Sequence, residues 1–97
     1  MKKIELLEIL QAARTYYEDS SRWFGYYLEA KDRGDVEYSK TAEKISLEYE
    51  SKMRGLLYAI EVITGFVVGS WYFNDFKNEG IVAMIINFDS IRRKTIE

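Results

Sequence analysis

The sequence contains no histidine, no cysteine and no proline. Without cysteine there is no disulfide and no thiolate nucleophile. Without histidine there is no imidazole base and no imidazole metal ligand. Together these gaps remove the usual zinc sites, Cys–His and Ser–His catalysis, and haem held by either residue. Chemistry here would fall to carboxylates, Lys, Tyr or an oxygen-ligated cation. At 97 residues the chain is one small domain, read as 1–97. A chain of this length buries roughly 60–65% of its unfolded surface, so its core is thin. With no covalent or metal staple, close helix packing or self-association has to support it.

What is present is aromatic: eight Tyr, five Phe and two Trp. Hydrophobic residues make up 47% and charged residues 31%, which excludes both a disordered chain and a membrane-dominated one. Fourteen basic residues face sixteen acidic ones, for a net charge of −2. Lys2 and Lys3 open the chain like a signal peptide, but Glu5 and Glu8 interrupt the apolar stretch and no cleavage site follows. Leu56 to Phe73 carries a single charge, Glu61, and contains Gly65-x-x-x-Gly69, a pattern that can pack membrane helices. A carboxylate at mid-bilayer costs about 2.5–3.5 kcal/mol, and the two glycines and Thr64 break the run. The expectation is a cytoplasmic protein with no membrane span.

Gly34 and Gly65 divide the chain into thirds. The first, about 3–33, reads as one helix, with Leu6, Leu10, Ala13, Tyr17, Ser20, Phe24 and Tyr27 in four–three spacing on one face. Gly34 is placed to cap it in the left-handed conformation, and Asp35 to cap the next helix. That helix, about 36–64, repeats the spacing with Tyr38, Ala42, Ile45, Tyr49, Lys52, Leu56, Ala59 and Ile63. So short a connection predicts an antiparallel αα-hairpin. Its expected register sets Ser20 opposite Tyr49, Ala13 opposite Leu56 and Tyr17 opposite Lys52.

The last third is apolar on both sides of Asn74–Gly80, which is rich in turn formers. It reads as a β-hairpin over about 66–88 and a polar tail over 89–97. The expected fold class is therefore α+β, a long antiparallel αα-hairpin followed by a β-hairpin. An all-α, three-helix alternative rests on Ile81, Met84, Ile85, Phe88 and Ile91, which also have helical spacing, with Asn78 as cap.

Helix one carries a second apolar stripe, Ile9, Ala12, Tyr16, Trp23, Tyr26 and Ala30, interrupted by Asp19. The apolar arc is thus too broad for one neighbour. Helix two is broad only in its second half, through Met53, Leu57 and Ile60. The C-terminal third is expected to cover that end, leaving Tyr16, Trp23 and Tyr26 as a protein interface at the other.

The acidic residues do not form a catalytic pair. Glu18-Asp19 and Glu48-x-Glu50 read as solvated faces, with Glu18–Arg22 and Glu48–Lys52 as i,i+4 partners. The Glu-x-x-His pairs of di-iron bundles are impossible without histidine, and Gly65-x-x-x-Gly69 lacks the ending of a phosphate loop. No enzyme, metal or cofactor is expected. In size and composition the chain resembles small proteins of bacterial and phage genomes. The reading is a non-catalytic interaction module, a homodimer or a binder of another protein, serving as a small regulator or inhibitor. The alternative is a nucleic-acid accessory protein using the basic residues Arg92, Arg93 and Lys94.

Overall fold

The computed structural model describes residues 1–92 and 96. Helix α1 spans Lys3–Asp32 and α2 spans Val36–Thr64. A short α3, Tyr72–Asp75, and α4, Asn78–Arg92, complete the order. No strand occurs among the described residues.

The joint between α1 and α2 follows from local chemistry. Gly34 takes φ +77°, a conformation that costs a residue with a Cβ about 1–2 kcal/mol. Its N–H donates to Lys31 O at 3.2 Å, and Asp35 N–H donates to Ala30 O at 2.9 Å. These two bonds satisfy the last carbonyls of α1 in a Schellman arrangement. Asp35 then starts α2, its Oδ1 accepting the Tyr38 N–H at 3.1 Å. At the other end of α2, Gly65 has φ +76° and its N–H donates to Glu61 O at 2.7 Å. Both helix boundaries agree with the sequence reading to within a residue.

The seam between the helices differs from the expected one. Ser20 meets Ser46, one helical turn away from the Tyr49 that the sequence spacing selected. The buried residues of α2 are Ser39, Ala42, Ser46, Met53, Leu57, Ile60 and Thr64. They form their own four–three series, which shares Ala42 with the expected one but is otherwise rotated from Tyr38, Ile45, Tyr49, Lys52, Leu56, Ala59 and Ile63. The physical reason is size. Ser and Ala in the half near Gly34 let the two backbones approach closely, while the larger side chains are turned to the flanks.

The β-hairpin is overturned: α4 occupies the place of its second strand, and α3 spans the end of its first strand and the start of its loop. Asn78, Ile81, Val82, Ile85 and Asp89 are the buried residues of α4, at helical spacing. Arg14 fixes the preceding loop. Its Nε donates to Asn78 Oδ1 at 2.8 Å, one Nη to Phe73 O at 2.8 Å, and the other to Phe76 O at 2.6 Å. Asn78 does not cap α4 as the helical alternative supposed. Its amide lies between Arg14 and Gln11 Oε1, and the Lys77 carbonyl accepts from Ile81 N–H instead. Gly80 falls in the first turn of α4, where it does not break the helix. The helix continues through 89–92, which the sequence had assigned to the tail.

One hydrophobic cluster results, joining Leu6, Leu10 and Ala13 of α1, Met53, Leu57 and Ile60 of α2, Val68 and Phe73 of the connection, and Ile81, Val82 and Ile85 of α4. Each large aliphatic side chain so buried contributes about 1.5–3 kcal/mol. All of it lies at the end where the C-terminal third covers the hairpin. The molecule is 53 Å long and 21 by 18 Å across. Its Gly34 end is a two-helix arm whose buried seam residues are Ser39, Ala42, Ser46 and Ala30.

Candidate interaction surface

In that arm the usual order of side chains is inverted. Small residues fill the seam, and large ones stand outside it. Tyr16 stacks on Tyr49 with ring centroids 6.1 Å apart and planes at 29°. Lys52 Nζ lies 5.7 Å from the Tyr16 ring and 5.5 Å from that of Tyr49. Rings and ammonium together mark one broad side of the hairpin. Trp23 lies seven residues beyond Tyr16, on the same side of α1. Its indole meets Tyr26 edge-on, centroids 5.2 Å apart and planes at 88°. All three predicted interface residues are at least partly accessible: Tyr16 and Trp23 are half-buried and Tyr26 is exposed. Tyr16 also packs against the core cluster, so it joins the surface to the interior.

The opposite side of the arm holds Phe24, 50% exposed, and Leu47, 53% exposed. They rim a shallow groove of about 400 Å³ that also includes Ser21, Glu43 and Glu50. Phe24 was expected in the seam, opposite Ile45; it stands instead at the rim of this groove. A second groove, about 460 Å³, runs between α2 and the 67–71 connection, lined by Arg54, Tyr58, Glu61, Val67 and Trp71 among others. Trp71 is 56% exposed and Tyr58 65% exposed. The sequence reading missed this patch, because it placed Trp71 in a strand and gave Tyr58 no role. The available signal was Tyr58 and Val62, one turn apart on the side of α2 away from the main stripe.

Several charged groups have structural partners. Arg22 pairs with Asp19 at 3.3 Å, not with Glu18 as its spacing suggested. Lys52 faces the two tyrosine rings in place of Glu48. Arg54 donates to Glu50 at 2.9 Å on an exposed helix surface. Among the described residues no three acidic side chains gather where they could share an ion. Arg92 donates to Thr64 O at 3.4 Å and lies over the Phe88 ring at 5.1 Å, so it serves the end of α2. Arg93 and Lys94, the rest of the basic triplet, lie outside the described residues. No helix among the described residues is long and apolar enough to cross a membrane.

Compared with protein-family models, curated proteins and solved structures, the chain matches none.

Proposed function

We propose that the chain is a non-catalytic protein-interaction module whose working surface is the aromatic side of the hairpin, centred on Tyr16, Trp23 and Tyr26. The observation that supports this is the inverted arm. A seam of Ser and Ala buries little apolar area, and burial is the main term that holds a helix pair together. The area that would do so is carried by the Trp23–Tyr26 pair and the Tyr16–Tyr49 stack on the outside. Clustered Trp and Tyr on an accessible surface are the residues that most often dominate binding energy. A small regulator or inhibitor acting by occupancy needs no more chemistry than this.

The test is the native mass of the tagged chain in cell extract, compared with its Trp23→Ser/Tyr26→Ser form. The unmodified chain is expected in a particle larger than its own 11.5 kDa. The double variant is expected to run as the monomer while keeping its helical circular dichroism and cooperative melt. If the double variant melts instead, the two rings are core and the reading fails.

A further inference from the structure

The aromatic side is longer than its three central residues. Ile9 precedes Tyr16 by seven residues and Leu56 follows Tyr49 by seven, so heptad spacing extends the same side along both helices. Ile9 and Leu56 are half-buried and pack against the core cluster. Among the described residues, the hydrogen bonds that tie the C-terminal third to α1 do not fall on this side. That third attaches through Arg14 and Tyr17, whose hydroxyl donates to Asn74 Oδ1 at 2.9 Å, on the other flank of α1. Two helices, each about 45 Å long and about 9 Å apart, therefore present one nearly flat face.

We infer that this face takes a second copy of the same chain, hairpin on hairpin, giving a four-helix bundle. The inference rests on the interaction reading above and names its partner. Two observations select a copy of the chain. The first is area. A strip about 45 Å by 18 Å offers roughly 800 Å² per partner, what a stable interface buries on each side. A twofold contact uses the whole strip twice without any further element. The second is charge. On this side α1 carries two acids, Glu5 and Asp19, the latter also paired with Arg22 at 3.3 Å, and α2 carries one base, Lys52. Laying α1 of one copy over α2 of the other brings each Asp19 towards the other copy's Lys52, within reach of the lysine stem. The Tyr16–Tyr49 stacks then meet near the centre, where burial is deepest.

The test is sedimentation equilibrium of the full chain with charge exchanges at Asp19 and Lys52, neither of which belongs to the core cluster. The unmodified chain should be a dimer at about 100 µM. Lys52→Asp and Asp19→Lys should each weaken it by about tenfold or more, and the Asp19→Lys/Lys52→Asp double exchange should recover most of the loss. Phe24→Lys, on the opposite side of the arm, should leave the dimer unchanged. A monomer at that concentration overturns the second copy as partner. So does a dimer that Phe24→Lys dissolves and the charge exchanges do not touch. The underlying interaction reading fails separately, by the melting of the Trp23→Ser/Tyr26→Ser form.

Discussion

Ser20 and Ser46 each donate a hydrogen bond to the other's backbone carbonyl, at 2.9 Å from Ser20 Oγ and 2.8 Å from Ser46 Oγ, with the two hydroxyl oxygens 3.3 Å apart. Side chains this short can make both bonds only where two helices come close together. The pair therefore sets both the spacing of the arm and its register.

Shape is expected to matter more than the hydrogen bonds at this layer. The carbonyls concerned already accept within their own helices, so Ser46→Ala leaves no orphaned group and should cost within about 1 kcal/mol. Ser46→Leu forces the backbones apart and should cost about 1–3 kcal/mol. Urea unfolding of both variants checks the order; equal losses would refute it.

Arg14 is expected to be the residue on which the C-terminal third depends. It donates to two backbone carbonyls and to Asn78, and stacks over the Phe73 ring at 4.7 Å. Arg14→Met should cost about 3 kcal/mol, and Arg14→Lys should recover little, since one ammonium cannot span three acceptors. Hydrogen exchange should rise over 73–82 before it rises in α1.

The two capping glycines should differ in their response to alanine. Both have positive φ, but the space beside Gly34 is open, whereas a Cβ at Gly65 would strike the Arg92 guanidinium. Gly34→Ala should cost about 1 kcal/mol and Gly65→Ala distinctly more. Adding Arg92→Ala should return only the steric part of the difference, read from thermal melts.

Gly25 and Gly55 should behave in the opposite way. Each lies inside a long helix with nothing within 4 Å of an added Cβ. Alanine at either position should stabilise the chain by about 0.5–1 kcal/mol. A loss at Gly55 or Gly25 in the isolated monomer would contradict the geometry of that helix.

The long helices were legible because their ends are governed by neighbours in sequence: Gly34, Asp35 and Gly65 act within a turn of where they stand. The facing of α2 was not legible. It carries two adjacent series, and hydrophobicity favours the one through Ile45, Leu56 and Ile63. Packing selects the one through Ser39, Ser46 and Leu57, because the approach of two backbones depends on the smallness of residues on both. The last third was misread for a related reason. Its short apolar runs fit either period, and what holds its loop against α1 is Arg14, 59 to 64 residues away in the chain. Of the surface, Trp23 and Tyr26 were visible as a stripe. Tyr49 was hidden by the wrong seam, and Trp71 by the wrong element.

The joint at Gly34 and Asp35 has a kinetic consequence. Its hydrogen bonds are complete within a few residues, and closing so short a connection between the two long helices, Arg33 to Asp35, carries little chain-entropy cost. The core at the far end instead requires Leu6, Ile60 and Ile85 to meet across most of the sequence. The tip is therefore where pairing of the two helices begins. It is also where thermal opening begins, since the seam behind it buries the least. Formation and breathing of the arm share one origin, and the body behind it, held by the cluster around Ile60, sets how long the chain as a whole stays folded.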